Sequence, residues 1–299
     1  MRNSFANVVL EEADKKNLLL VTGDLGFGVF EELQSRYPDN FLNAGITEQS
    51  LTSLAAGLAD TGWVPIIYSI ANFPTLRNLE QIRNDIAYPN RHVVVCAVGA
   101  GLSYSSLGYS HFALEDLAVM RSMPNFRILS PSDPHRAALA TRSAITENRP
   151  TYLRLGKNGE KDFGSLAQAE HFSIREISSG RDEVAVASTG SIGSIVVEAI
   201  ATLNRPIAHY SIEEVWPLRH EILDALSTFK SVLVVEEHGP VGGLFGALAE
   251  AFQRKKIKVN LHSIHADVTK LNLSGDHTYM RDQAGLSPQK LAEAITLIK

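Results

Sequence analysis

Short apolar runs, each followed by a loop and an amphipathic helix, set the rhythm of this sequence. The runs are rich in β-branched residues and lack the polar–apolar alternation of a half-exposed strand. Such strands are typical of parallel sheets that are covered by helices on both faces, which indicates an α/β fold. In the first half of the chain the pattern predicts strands at 17–23, 64–70, 92–98, 126–130 and 151–155.

The segment 47–61, TEQSLTSLAAGLADT, carries the clearest helical signal. Its apolar residues recur at the spacing of one helical face, at Leu51, Leu54, Ala55 and Leu58. Thr47 is predicted to cap the start of this helix, and Gly62 is predicted to stop its end. Glu48 would then lie in the first helical turn.

The second half of the chain repeats the rhythm after a polar stretch at 156–170 that is typical of a linker. Strands are predicted at 183–188, 207–211, 231–236 and 257–264, and helices at about 191–203, 219–229, 241–254 and 287–298. We therefore expect two domains, 1–160 and 170–299, each with a mainly parallel sheet flanked by helices.

Composition narrows the classes of function. Asp and Glu outnumber Lys and Arg by 33 to 28, and this acidic balance disfavours nucleic-acid binding. The single cysteine, Cys96, excludes an internal disulfide and lies in a predicted buried strand, where a thiol is inert. No apolar run approaches the ~18 residues of a membrane span, and the N-terminus does not resemble a signal peptide. We expect a cytoplasmic protein that binds neither membrane nor nucleic acid.

General catalytic motifs are absent from the sequence. The glycine clusters after the strands form neither G-x-G-x-x-G nor a P-loop, and there is no G-x-S-x-G. The histidines are scattered and no cysteine cluster joins them, so we expect no metal site made by this chain alone. The glycine loops still follow the carboxyl ends of predicted parallel strands, which is where such folds bind ligands.

Several segments, taken in order, resemble the transketolase family. They are Gly45-Ile46-x-Glu48-Gln49, a strand end bearing Phe73, Gly108-x-x-His111-x-x-x-Glu115-x-Leu117-x-x-x-Arg121-x-x-Pro124-Asn125, and Ser130-Pro131-Ser132-Asp133. Further on, a strand ending Val235-Glu236-Glu237 precedes Gly242-Gly243, as in the C-terminal domain of that family. The resemblance covers essentially the whole chain, as a pyrimidine-binding domain followed by a C-terminal domain.

This resemblance implies one subunit of a split, thiamine-diphosphate-dependent transketolase. The family's N-terminal domain binds the cofactor diphosphate through Mg²⁺ and carries a GDG signature followed by paired asparagines. Here Gly23-Asp24-Leu25 departs from that signature at its third position, and the asparagines are missing. The resemblance therefore implies a separate diphosphate-binding partner that holds the Mg²⁺, with two copies of each chain in the assembly.

The resemblance assigns cofactor contacts to four residues. Glu48 corresponds to the catalytic glutamate that hydrogen-bonds a ring nitrogen of the aminopyrimidine, which requires a carboxyl group held rigidly and away from water. Phe73 corresponds to an aromatic residue that packs on that ring, and Ile70 takes a neighbouring place that is often aromatic. Asp24 matches an acidic residue near the cofactor.

Three further residues are assigned to the substrate, a sugar or sugar phosphate. His111 matches a catalytic histidine that faces substrate oxygens and shuttles protons. Lys157 lies where the family places a cation against a sugar phosphate, and Arg77 is a second candidate for that role.

Two positions depart from the family pattern, and they leave the identity of the sugar substrate undetermined. Leu107 replaces an aspartate that touches a sugar hydroxyl, and Gly99 replaces a substrate-facing histidine. The expected reaction moves a two-carbon ketol unit from a ketose to an aldehyde acceptor. Because these two residues differ from the family pattern, a modified, branched or nucleotide-linked sugar is a possible substrate.

Three alternative functions remain open. They are a β-like subunit of a 2-oxoacid dehydrogenase, a deoxyxylulose-phosphate synthase-like enzyme, and a non-catalytic subunit that binds the partner.

Overall fold

The computed structural model describes residues 1–163 and 172–298. Over these residues the strands are β1 (Leu18–Thr22), β2 (Phe41–Asn43), β3 (Val64–Ile70), β4 (Val94–Val98), β5 (Arg127–Leu129), β6 (Thr151–Leu155), β7 (Ile174–Ser178), β8 (Val184–Thr189), β9 (Ala208–Ile212), β10 (Glu214–Trp216), β11 (Ser231–Glu236) and β12 (Asn260–Ile264). The helices are α1 (Arg2–Glu12), α2 (Glu31–Arg36), α3 (Glu48–Asp60), α4 (Phe73–Leu76), α5 (Leu79–Gln81), α6 (Asp116–Arg121), α7 (Pro134–Thr146), α8 (Gly193–Ala201), α9 (His220–Ser227), α10 (Leu244–Lys255), α11 (His277–Gln283) and α12 (Pro288–Leu297).

Within the described ranges the strands form two mainly parallel sheets. The first has seven strands in the order β10-β5-β6-β4-β3-β1-β2, and only the edge strand β10 runs antiparallel to its neighbour. The second has five strands in the order β12-β11-β8-β9-β7, with β7 antiparallel at its edge. The central strands β4, β6, β8 and β11 are buried along their whole length, and this confirms the α/β class with parallel sheets.

Every strand predicted from the sequence corresponds to an observed strand, with ends that differ by a few residues. The largest difference is at 257–264, where the strand begins at Asn260. The predictions missed β2, β7 and β10, which are short or carry alternating polar residues. Residues 164–170 of the expected linker lie outside the described ranges. Since β10 follows that segment yet pairs with β5, the first sheet includes a strand from beyond residue 170.

Helix α3 positions Glu48, and its ends are well defined. Gly62 adopts φ 88°, and the N–H groups of Gly62 and Trp63 bond to the carbonyls of Ala59 and Leu58, which confirms Gly62 as the stop. Thr47 occupies the N-cap position, as predicted, but its side chain makes no capping hydrogen bond: Thr47 Oγ1 donates to the preceding Ala44 O instead of accepting from the helix. The buried face is also turned from the predicted one: it consists of Glu48, Leu51, Thr52, Ala55 and Ala56, while Leu54 is 43% exposed.

Two buried arginines join the two halves of the chain. Arg154 on β6 donates to Asp116 and also to the backbone carbonyl of Glu237, which follows β11. Arg136 on α7 pairs with the fully buried Glu213, just before β10. Because buried charges are costly unless they are paired, these contacts fix how the two sheets sit together. Within residues 1–163 and 172–298, every helix is too short or too polar to span a lipid bilayer.

Candidate functional site

The predicted site residues follow neighbouring strands of the first sheet at their carboxyl ends. Asp24 follows β1, Glu48 follows β2, Ile70 ends β3, and Lys157 follows β6. These strands lie side by side in the order β6-β4-β3-β1-β2, so the loops after them share one edge of the sheet. This is the edge at which parallel α/β sheets bind ligands.

Glu48 and Arg77 form an ion pair in an open pocket of about 410 Å³. Arg77 Nη1 lies 2.8 Å from Glu48 Oε1. The Glu48 side chain is 7% exposed, whereas that of Arg77 is 47% exposed. The pocket is lined by residues 46–50, which lead into α3 and form its start, together with Arg77. The carboxylate is therefore held by the helix, while its cationic partner lies half in solvent.

Phe73 lies between Arg77 and His111. The guanidinium carbon of Arg77 is 3.8 Å from the centre of the Phe73 ring, a close cation–π contact. Phe73 also meets the His111 ring edge to face, with centroids 5.2 Å apart. Four residues predicted separately, Glu48, Arg77, Phe73 and His111, thus form one continuous chain of contacts.

The loop that carries His111 is fixed to the loop that carries Phe73. Asn72 Nδ2 donates to Ser110 O at 2.6 Å, and Ser110 Oγ lies 2.9 Å from His111 Nδ1. Partial burial lowers the pKa of His111 below its usual 6.5, and the nearby Arg77 charge lowers it further. His111 is consequently neutral near pH 7 and can accept a proton there. Asn72 was missed by sequence reasoning, although its place directly before Phe73 at a strand end was visible.

Asp24 is exposed and held by a residue that the sequence analysis overlooked. Asn43, the last residue of β2, accepts from the backbone N–H groups of Asp24 and Gly45 and donates to the Asp24 carboxylate at 3.1 Å. Asp24 adopts φ 59°, a left-handed conformation that asparagine and aspartate tolerate best. Because β2 was not predicted, nothing marked Asn43 as a strand-end residue.

Ile70 and Lys157 stand apart from the contact chain. Ile70 pairs with Val98 in the sheet and is partly buried against the core of the first sheet. Lys157 Nζ lies 4.8 Å from the centre of the Tyr104 ring and lines a second cavity, of about 460 Å³, between the two halves of the chain. Tyr104 was not predicted, and its ring fills the space beside Gly99, where a side chain at residue 99 would project.

The buried carboxylate and the aromatic ring fit an aminopyrimidine. Glu48 and Phe73 already hold one planar group that bears N–H donors, the Arg77 guanidinium, by a hydrogen bond to the carboxylate and a contact with the ring face. Across residues 1–163 and 172–298, no three His, Cys, Asp or Glu side chains come together as a potential metal site. Cys96 is buried in β4, and burial raises the pKa of its thiol, as expected for an inert cysteine.

Comparison with known protein families identifies the family of this chain. The family described as "Transketolase, pyrimidine binding domain" matches residues 1–159. The chain belongs to the transketolase family. This confirms the resemblance drawn from the sequence motifs.

Relatives from this family align with most of the chain. A "Putative transketolase C-terminal section" from Methanocaldococcus jannaschii is 27% identical, over 99% of this chain and 95% of the relative. A subunit of an apulose-4-phosphate transketolase from Actinobacillus succinogenes is 29% identical, over 86% of this chain and 84% of the relative. A 1-deoxy-D-xylulose-5-phosphate synthase from Lawsonia intracellularis is 28% identical over 83% of this chain, and the match spans only 40% of that longer protein.

Solved transketolase structures share the fold. One described as "Split gene transketolase, inactive beta4 tetramer" has a TM-score of 0.86 at 24% identity, over 99% of this chain and 96% of that one. Transketolase from Campylobacter jejuni has a TM-score of 0.78 at 17% identity, over 99% of this chain and 46% of that one. At these identities the likeness concerns the fold.

Proposed function

We propose that this chain is one subunit of a split, thiamine-diphosphate-dependent transketolase that transfers a two-carbon ketol unit from a ketose to an aldehyde acceptor. The observation that carries the proposal is the contact chain Glu48–Arg77–Phe73–His111 at the carboxyl edge of the first sheet. It joins a buried carboxylate, an aromatic face and a neutral imidazole in one place. These are the groups that a pyrimidine ring and a sugar substrate together require.

In this proposal Glu48 and Phe73 hold the cofactor. The Glu48 carboxyl group meets a ring nitrogen and exchanges a proton with it, and helix α3 fixes its position. Phe73 stacks on the ring, Ile70 adds an apolar contact, and Asp24 lies at the same sheet edge. Bound thiamine diphosphate supplies the electron sink that carbon–carbon bond cleavage requires.

His111 and two cations serve the substrate. Ser110 Oγ engages His111 Nδ1, so Nε2 is the nitrogen available to take a proton from a substrate oxygen and return it. Lys157 and Arg77 are the cations proposed to meet a sugar phosphate. Lys157 makes a cation–π contact with Tyr104 and lines the cavity between the two halves of the chain, where its ammonium group can reach an anion.

A separate subunit is proposed to complete the site. Large apolar side chains are exposed in the segments that follow the strands at this edge, at Phe27, Ile46, Leu76, Leu107 and Tyr109. Exposed apolar surface of this kind is typical of a protein interface. The two transketolase relatives, one a C-terminal section and the other a subunit, support a separate partner chain. In this proposal the partner binds the diphosphate and holds the Mg²⁺. Two copies of each chain are proposed, since such assemblies are usually symmetric.

A deoxyxylulose-phosphate synthase is the second candidate. It is favoured by the relative of that name from Lawsonia intracellularis, which aligns with 83% of this chain. The two candidates differ in their products, so one set of assays separates them.

The test is reconstitution with the chain encoded by the neighbouring reading frame. The pair is assayed with xylulose 5-phosphate, fructose 6-phosphate or apulose 4-phosphate as donor and an aldose phosphate as acceptor. It is assayed separately for formation of 1-deoxy-D-xylulose 5-phosphate and CO₂ from pyruvate and glyceraldehyde 3-phosphate. Glu48→Gln should lower kcat by about 10²–10⁴-fold while the pair still assembles. Glu32→Gln, which alters an exposed carboxylate also paired with an arginine, is the control and should have no effect. Near-normal turnover by Glu48→Gln would contradict the proposal.

A further inference from the structure

We infer that Arg77 is an internal competitor of the cofactor: its guanidinium lies where the aminopyrimidine would sit, and cofactor binding must displace it. This inference rests on the proposed function, because it assumes that Glu48 and Phe73 bind a pyrimidine ring. It adds that the site is closed by a side chain of the same subunit until the cofactor enters.

The geometry of Arg77 supplies the argument. Its Nη1 donates to Glu48 Oε1 at 2.8 Å, and its central carbon lies 3.8 Å from the centre of the Phe73 ring. A guanidinium is flat, delocalised and rich in N–H donors, so it can satisfy a carboxylate and stack on an aromatic face at the same time. An aminopyrimidine held by Glu48 and Phe73 would use the same carboxylate and the same ring face. Both groups cannot occupy that space together.

Arg77 is able to leave this position. Its side chain is 47% exposed, so it can turn into solvent without breaking the core. Glu48 and Phe73, in contrast, are anchored at the starts of α3 and α4. Displacement replaces the Arg77 guanidinium by the aminopyrimidine as the group that is hydrogen-bonded to Glu48 and stacked on Phe73. The released guanidinium is then free to bind the sugar phosphate, which is the role that the proposed function gives to Arg77.

The strength of the competition follows from its two contacts. A cation–π contact at a partly exposed site and an ion pair with one exposed partner together favour the closed arrangement roughly 5- to 30-fold. The apparent affinity for the cofactor is the intrinsic affinity multiplied by the fraction of molecules whose site is open. Removing Arg77 opens the site in all molecules, so it should tighten cofactor binding by a similar factor.

The chain offers a matched control for this experiment. Arg36 also pairs with a glutamate, Glu32, at 2.9 Å and lies over an aromatic ring, that of Tyr37, at 5.4 Å. It lies on α2, and neither it nor its partners take part in the contact chain of the site. Arg36→Ala therefore removes the same kinds of contact outside the proposed site.

The test measures thiamine diphosphate binding by calorimetry to the assembled pair of subunits, with Mg²⁺ present. Arg77→Ala should lower the dissociation constant roughly 5- to 30-fold. Arg77→Lys keeps the charge but not the flat stacking group, and should fall between wild type and Arg77→Ala. Arg36→Ala should bind as wild type does. In a ¹⁵N spectrum of wild-type protein, the Arg77 Nε signal should shift on saturation with cofactor while the Arg36 signal stays.

The outcomes separate this inference from the proposed function. If wild type binds the cofactor and Arg77→Ala binds it more weakly or equally well, the inference alone is overturned. The same holds if the Arg77 Nε signal does not shift when the cofactor is added. Absence of binding by every variant would overturn the proposed function, and the inference with it.

Discussion

The ring of Tyr104 lies against the backbone of Gly99 so closely that a Cβ at residue 99 would come within 2.1 Å of Tyr104 Cδ2. Gly99 directly follows β4 and adopts φ 95°, a conformation that side chains disfavour. Lys157 in turn lies over the same ring, with Nζ 4.8 Å from its centre. A glycine at residue 99 thus allows Tyr104 to support a cation at the edge of the proposed site.

Gly99→Ala should destabilise the protein by about 2–4 kcal/mol, because it adds backbone strain to a steric clash. Urea denaturation measures this loss directly. Gly57→Ala is the control: Gly57 lies exposed within helix α3, and a Cβ there would meet nothing within 4 Å. That change should stabilise the protein by about 0.5–1 kcal/mol. Equal effects of the two substitutions would show that the Tyr104 ring does not constrain residue 99.

Glu237 ties the second half of the chain to the loop after β4. Its carboxylate accepts from Leu102 N at 2.6 Å, from His277 Nε2 at 2.7 Å and from Arg281 Nε at 2.8 Å. Burial alone would raise the pKa of Glu237, but the charges of Arg281 and His277 outweigh it and hold that pKa well below its usual range. The ionised carboxylate therefore stabilises the folded state.

Glu237→Gln should destabilise the protein by about 1–3 kcal/mol near neutral pH, since an amide cannot replace the buried carboxylate that accepts from the partly buried Arg281 and His277 side chains. A depressed carboxyl pKa stabilises the folded state above the ordinary value of 4.5, and this contribution is lost as the pH falls towards the folded pKa. The difference between wild type and Glu237→Gln should accordingly narrow below pH 4.5 in urea denaturation. Glu183→Gln, at an exposed ion pair with Lys230, should change stability by at most about 1 kcal/mol. A difference that does not vary with pH would contradict the assignment.

Arg77→Ala should raise the pKa of His111. Burial is the larger cause of the depressed His111 pKa and remains in the variant, so the pKa should move towards 6.5 without reaching it. Arg77→Lys should keep the wild-type value because it keeps the charge. An NMR titration of the His111 ring protons checks this, with Arg36→Ala as the control. An unchanged pKa in Arg77→Ala would mean that the Arg77 charge does not act on the imidazole.

The local pattern of apolar and turn residues predicted most of the helices and strands. The strands that it missed depend on pairing with segments that are distant in the sequence. Helix α3 was found within one residue at each end, because its apolar spacing and the glycine stop are local signals. Strand β10 has only three residues, includes the charged Glu214, and exists because β5 offers it an edge. No local pattern marks a strand of that kind.

The same distinction applies to the site. Glu48, Phe73 and His111 were identified from motifs, yet the Arg77–Glu48 ion pair joins residues 29 positions apart, and no motif encodes it. Arg77 was predicted as a substrate cation, and its guanidinium lies on Glu48 and Phe73 in the structure. Tyr104 was missed because its role depends on the space left by Gly99, which becomes visible only when the two are packed together.

Leu107→Asp should shift the substrate preference of the reconstituted pair towards fully hydroxylated ketoses. Leu107 is 54% exposed on a short turn, Ser105–Leu107, just before the turn that carries His111. Leucine cannot accept a hydrogen bond from a sugar hydroxyl, and an unpaired, desolvated hydroxyl costs on the order of 1–3 kcal/mol, or about 5–150-fold in selectivity. The measurement is the ratio of kcat/KM for xylulose 5-phosphate to that for a deoxy analogue of it that lacks one hydroxyl. Leu139→Asp, at an exposed leucine of α7, is the control and should leave the ratio unchanged. If wild type already prefers xylulose 5-phosphate and Leu107→Asp leaves the ratio as it was, Leu107 does not set the specificity.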